Sequence, residues 1–144
     1  MKDMESLIGC TLGGRYRILE RVGGGGMGHV YKARCQLLDR TVAVKVLNPA
    51  LAEDQEFLRR FRREARAAAS LSHPNVVSVY DVGQQGDIHY LVMEFLEGED
   101  LKRYIKRGRP SVREALMIAR QIAQALAHAH QQGLIHRDIK PHNI

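Results

Sequence analysis

With 144 residues, the chain is long enough for one domain with a real core and too short for two full ones. Apolar residues at 44% and charged residues at 26% give the balance of a soluble globular protein, and no apolar run approaches the ~20 residues needed to span a bilayer. The formal charge of +6 raises nucleic-acid binding, but Arg59, Arg60, Arg62, Arg63 and Arg66 crowd one short segment with no aromatic-rich strand beside it. That pattern reads as a solvated basic helix face, so no nucleic-acid partner is expected. The start, MKDMESLIGC, has no apolar stretch behind its Lys, so no secretory signal is expected. Cys10 and Cys35 lack the spacing of a zinc site or a disulfide framework and fit thiols in a reducing, cytoplasmic compartment.

Three strands are expected first, at Tyr16 to Val22, His29 to Arg34 and Thr41 to Leu47, the first two joined across a run of four glycines. Asn48-Pro49 breaks the pattern. Phe57, Phe61, Ala65, Ala68 and Leu71, spaced by three and four, predict a helix over 54–71, closed by His73-Pro74-Asn75. Two further strands follow, Val76 to Val82 and Ile88 to Phe95, and Gly98 marks a linker. Leu101 to Lys106 reads as a short helix ended by Gly108-Arg109-Pro110. Ser111 with Glu114 forms a capping box that opens the clearest element. Its apolar stripe runs Val112, Ala115, Leu116, Ala119, Ile122, Ala123, Leu126 and Ala129 and stops near Gly133. Five strands with one inserted helix, then helices only, predict an α+β plan in two lobes with the boundary near 95–99.

Gly23, Gly25, Gly28 and Val30 fit G-x-G-x-x-G-x-V. A dinucleotide site would need a helix after the turn and an acid about 20 positions on. The next segment here, His-Val-Tyr-Lys-Ala, is strand-like, and that region holds Lys45. A strand–turn–strand flap over a triphosphate fits better, its glycines letting backbone N–H groups approach phosphate oxygens; a glycine-rich hairpin with no ligand is the bland alternative. In Val42-Ala43-Val44-Lys45, alternation puts Ala43 and Lys45 on one face, a small residue beside an ammonium. On the helix, positions 57, 61, 64, 68 and 71 share a face, which makes Glu64 an acid among apolar residues. A carboxylate there is costly without a cation, and Lys45 is the natural partner; a Glu snorkelling from the edge of the stripe is the alternative. His128 and His130, two apart near a helix end, do not face one another and suggest no metal site.

The last nine residues, His136-Arg137-Asp138-Ile139-Lys140-Pro141-His142-Asn143-Ile144, match H-R-D-x-K-P-x-N. With the flap, V-A-V-K and the helix Glu in the same order, residues 12–144 resemble a protein kinase domain. The resemblance is closest to the bacterial eukaryotic-like (Hanks-type) serine/threonine kinases, whose flap reads much as Gly25 to Ala33 does here. It implies a protein-kinase-like α+β fold: an ATP-binding lobe over 12–95 with a five-stranded antiparallel sheet and one helix, a hinge and linker over 96–99, and over 100–144 the start of a mainly helical lobe.

The resemblance also implies roles, with ATP as substrate and Mg²⁺ as cofactor. The flap, Val22, Gly23, Gly24, Gly25, Gly26, Met27 and Gly28, would cover the phosphates, and Val30 and Ala43 would roof the base. Lys45 would hold the α- and β-phosphates and pair with Glu64. Met93 resembles the gatekeeper, and Glu94 to Leu96 the hinge that meets the adenine edge. Asp138 would orient the attacking hydroxyl and accept its proton, Lys140 would steady the transferred phosphoryl group, and Asn143 would bind one Mg²⁺. Arg137 resembles the Arg of kinases switched by a phosphate on a later loop. The partners implied are ATP and proteins with Ser or Thr, with a pseudokinase or nucleotide-binding scaffold as the alternative; Lys140-Pro141 disfavours a small-molecule kinase. Because the chain stops at Ile144, before a D-F-G Asp, it reads as part of a longer kinase and is expected to be a poor catalyst alone.

Overall fold

A computed structural model of the chain describes residues 7–144. Its strands form where β-branched and aromatic residues alternate with polar ones: β1 (Thr11–Leu12), β2 (Tyr16–Gly25), β3 (Gly28–Cys35), β4 (Arg40–Leu47), β5 (Val79–Gln85) and β6 (Ile88–Glu94). They make one antiparallel sheet in the order β1-β2-β3-β4-β6-β5. The sheet therefore has six strands where five were expected. The additional strand, β1, is two residues long, too short for any period to register, yet it places Leu12 at 1% exposure.

One face of the sheet carries the core: Tyr16, Ile18, Tyr31, Ala33, Cys35, Val42, Val44, Val46, Tyr90 and Val92, closed over by Leu7 and Leu12. Tyr16 donates a hydrogen bond to Asp81 Oδ2 at 2.7 Å and meets the Tyr90 ring edge-on, with centroids 6.2 Å apart. This ties β2 to the far edge of the sheet.

Asn48-Pro49 starts a helix instead of only breaking a strand. Asn48 caps α1 (Pro49–Ala52), its side chain accepting from the Ala50 N–H at 3.0 Å, and Pro49 fills the first turn, where its missing N–H is harmless. Asp54 then caps α2 (Gln55–Ala69), accepting from the N–H groups of Glu56 and Phe57. α2 ends at Ala69, earlier than His73-Pro74 suggests, because Ser70 folds back and its hydroxyl donates to Ala67 O at 2.6 Å. The strand expected from Val76 begins at Val79, since the Val76 N–H closes a turn on His73 O and pairing with β6 starts at Val79↔Met93.

The chain divides into two compact units. The first holds the sheet, α1 and α2; the second comprises Leu71–Val77 and Glu97–Ile144. In the second, Asp100 caps α3 (Leu101–Arg107) by accepting from the Arg103 N–H at 2.8 Å. Ser111 and Glu114 form the expected capping box at the start of α4 (Val112–Gln131). The covered apolar residues of α4 are Ile118, Ile122, Ala125, Leu126 and Ala129, whereas Val112, Ala115, Leu116, Ala119 and Ala123 of the expected stripe are exposed, so the first half of that stripe is not covered within this unit. A 3₁₀ turn over Pro141–Asn143 completes the unit. Among the described residues no helix is long and apolar enough to cross a membrane.

Candidate active site

The glycine-rich segment is the end of the β2–β3 hairpin, with Gly23↔Val30, Gly24↔His29 and Gly25↔Gly28 paired and Gly26-Met27 at the tip. Gly28 is where glycine is obligatory. Its φ is +150°, and a Cβ there would fall on the Val46 carbonyl oxygen, with Leu47 Cα 3.1 Å away. The Met27 carbonyl accepts from the Asn48 N–H at 3.0 Å, which anchors the tip to the end of β4. Val22 and Met27 are about half exposed.

Register places the remaining groups of this unit. Val30 pairs with Lys45, Lys32 with Ala43, Ala43 with Met93 and Lys45 with Leu91. Residues directly opposite share a face, so Val30, Ala43, Lys45 and Met93 share one side of the sheet while Val42, Val44 and Val46 enter the core. Glu94 is bracketed by Ser78: its N–H donates to Ser78 O at 2.9 Å, and its carboxylate accepts from the Ser78 N–H at 3.2 Å. Leu96 is exposed, and its N–H has no backbone partner among the described residues.

Glu64 departs from expectation. The face of α2 turned inward is built on Leu58 and Ala65, both 5% exposed, with Phe61 and Ala68 partly covered. Ala65 stands where Glu64 was assigned, and Glu64 is exposed. Lys45 is partly covered and has no ion-pair partner among the described residues. The Lys45–Glu64 pair is therefore not formed in this conformation.

In the second unit, two side chains converge on the Asp138 carboxylate. Its Oδ2 lies 3.3 Å from Lys140 Nζ and accepts from Asn143 Nδ2 at 3.3 Å, and Asn143 Nδ2 also donates to the Asp138 carbonyl at 2.9 Å. Among the described residues nothing donates to Oδ1, so one carboxylate oxygen stays available as an acceptor while the other is held. Arg137 sits at φ +68°, a left-handed conformation that an L side chain adopts at a cost of ~1–2 kcal/mol. The loop overdetermines it: the Asp138 N–H donates to His136 Nδ1 at 3.1 Å, and the Asn143 N–H donates to Lys140 O at 2.9 Å. The Leu101 N–H donates to Ile144 O at 2.7 Å, seating the loop on the start of α3.

Sequence reasoning missed the orienting work of His136. A signal was present, because His73-Pro74-Asn75 repeats the device: the Asn75 N–H donates to His73 Nδ1 at 3.0 Å. In both places a His side chain closes a turn on the N–H two residues on.

A glycine-rich hairpin beside a strand Lys in one unit, and in the other an H-R-D-x-K-P-x-N loop organised around its Asp, are the marks of a protein kinase domain. The chain belongs to the protein kinase domain family, whose profile matches residues 16–144. It is 57% identical over 139 residues to the serine/threonine-protein kinase PrkC of Bacillus subtilis, a match covering 96% of this chain and 22% of that protein. It is 48% identical over 147 residues to the serine/threonine-protein kinase PknA of Mycobacterium tuberculosis, covering 98% of this chain and 34% of that one. A crystal structure of the M. tuberculosis PknI kinase domain superposes with a TM-score of 0.83 at 38% identity, covering 94% of this chain and 55% of that chain. The kinase fold read from the sequence holds, and the chain spans about a fifth to a third of the length of these curated relatives.

Proposed function

We propose that the protein to which this chain belongs is a serine/threonine protein kinase that transfers the γ-phosphoryl group of ATP to Ser or Thr hydroxyls of proteins. The observation that carries the reading is the state of Asp138. Lys140 and Asn143 hold one carboxylate oxygen and leave the other open, as a group that orients a hydroxyl and takes its proton needs. In the transfer the acceptor oxygen forms a bond to the γ-phosphorus, the bond from that phosphorus to the β,γ-bridging oxygen breaks, ADP leaves, and the hydroxyl proton passes to Asp138. Lys140 supplies positive charge beside the transferred group. Lys45 holds the α- and β-phosphates, the flap's N–H groups face the phosphate oxygens, and the backbone of Glu94 to Leu96 takes the adenine edge beside Met93.

The donor set suits Mg²⁺ at Asn143. Its Nδ2 donates to Asp138, and its carbamoyl oxygen would be the hard ligand of the kind Mg²⁺ selects. The bound cation supplies charge neutralisation for the phosphates. The reading includes a reducing, cytoplasmic setting, suggested by the spacing of Cys10 and Cys35.

One observation favours a second reading, a nucleotide-binding scaffold: Lys45 and Glu64 stand apart here. Phosphoryl transfer separates the two. In the whole protein, Asp138→Asn should lower kcat by roughly 10²–10⁴-fold while ATP affinity stays nearly constant, and Lys45→Met should impair transfer with the fold kept. Near-normal turnover in both variants would remove this assignment of the site, and a wild-type protein that binds ATP without transfer would establish the scaffold.

A further inference from the structure

We propose that the outward face of α2 is a docking surface for an acidic peptide segment lying extended along the helix. The helix carries Arg59, Arg60, Arg62, Arg63 and Arg66, all exposed. Arg59, Arg62, Arg63 and Arg66 fall at i, i+3, i+4 and i+7, so they form one stripe, turned away from Leu58 and Ala65, which pack inward. A solvated charged face is ordinarily laced with opposite charges one turn away. This stripe is not. The positions one turn from Arg63 hold Arg59, Arg60, Arg66 and Ala67, and those one turn from Arg66 hold Arg62, Arg63, Ala69 and Ser70. Arg59 with Arg63, and Arg62 with Arg66, are like-charged pairs four apart, which destabilise a helix. The acids of α2, Glu56 and Glu64, form no ion pair, and among the described residues none of the five arginines has an ion-pair partner. Arg62 Nη2 donates to Gln84 Oε1 at 2.9 Å, a neutral acceptor that leaves its charge uncompensated.

Side-chain type and spacing set the chemistry of the partner. Arginine presents a planar fork of donors that takes a carboxylate bidentately. From Arg59 to Arg63, and from Arg62 to Arg66, the helix rises about 6 Å, and alternate side chains of an extended peptide stand about 6.6–6.8 Å apart. A Glu-x-Glu segment therefore sets successive carboxylates against successive guanidinium groups. A lipid surface fits less well, because the apolar face of α2 is taken up within its own unit and the helix cannot bury it among acyl chains.

The test uses the 144-residue chain and two fluorescein-labelled octapeptides of equal charge, one alternating Glu and Ser, the other with its four Glu in a block. Fluorescence anisotropy should give micromolar affinity for the alternating peptide, at least threefold tighter than for the block, and weakening as salt screens the charges. Arg63→Glu should weaken binding at least tenfold while Tm holds or rises, because an acid there faces Arg59, Arg60 and Arg66 across one turn. Arg113→Ala, at an exposed position of α4, should leave binding unchanged. The alternating peptide should also protect Arg59, Arg63 and Arg66 of the unmutated chain, and not Arg113, from phenylglyoxal, a readout that survives any variant that fails to fold. Equal affinity for the two peptides, binding untouched by Arg63→Glu, protection of other arginines instead, or tighter binding to phosphatidylserine vesicles than to the peptide would each overturn the proposal.

Discussion

Replacing Gly28 by Ala tests whether the flap is built as described. At φ +150° an L side chain is strained, and the new Cβ would fall on the Val46 carbonyl oxygen, backbone that cannot swing aside. The backbone strain is of order 1–3 kcal/mol. Relief requires the Gly28↔Leu47 end of the β3–β4 ladder to open, losing one or two hydrogen bonds of about 1 kcal/mol each. The sum is about 3 kcal/mol. At ~4–8 °C per kcal/mol for a domain of 60–100 residues, Tm should fall by roughly 12–24 °C. Gly26→Ala is the control: a Cβ there meets nothing within 4 Å, so its effect should stay within ~0.5 kcal/mol. Thermal melts by circular dichroism read the difference. Hydrogen exchange at the Asn48 amide, bonded to Met27 O, distinguishes local opening from global loss. Equal melting of the two variants, with Asn48 still protected in Gly28→Ala, would refute the close approach of β3 and β4 at the flap.

Tyr16→Phe removes the donor to Asp81 and should cost ~1–3 kcal/mol, measurable by urea titration. Burial first, and then the Asp81 carboxylate, push the Tyr16 phenol above the usual tyrosine range, and burial does the same for Tyr90. The unfolded chain therefore releases these protons first, so stability should be steady below about pH 10 and fall as pH rises beyond it, less steeply in Tyr16→Phe. A variant with the same alkaline slope as wild type would remove Tyr16 from that account. Burial, followed by the nearby Arg62, holds His89 below the usual histidine value; stability should drop as pH falls from about 6.5, and His89→Gln should flatten that limb. Ser111→Ala breaks the capping box that also lowers the Glu114 carboxyl and should cost ~0.5–2 kcal/mol, read as lost helicity and a lower Tm; an unchanged melt would exclude the cap as a stabilising element.

The candidate site residues were legible because chemistry restricts their type and order. Asp138, Lys140 and Asn143 fall within six positions, and their contacts are local enough for the motif to carry them. Pairing partners were less visible. β1 is too short to show alternation, and the strand after Pro74 begins three residues later than Val76 because β6 supplies the register. For α2, the residues 55–69 offer two overlapping stripes that share Phe61 and Ala68. One adds Phe57 and Glu64, the other Leu58 and Ala65, and the periodicity cannot separate them. Energetics does. Burying Leu58 is worth about 1.5–3 kcal/mol, whereas an exposed Lys–Glu pair contributes ~0–1 kcal/mol. Packing therefore sets the rotation of α2 in this unit, and the stripe with Leu58 inward leaves Glu64 exposed. The same magnitudes explain why the pair can vary between states of one fold. A term of that size neither holds the helix nor resists its displacement, and any interaction worth a few kcal/mol in favour of the rotated helix is sufficient to bring Glu64 to Lys45. The presence of both residues is a property of the sequence, while their contact is a property of the conformation.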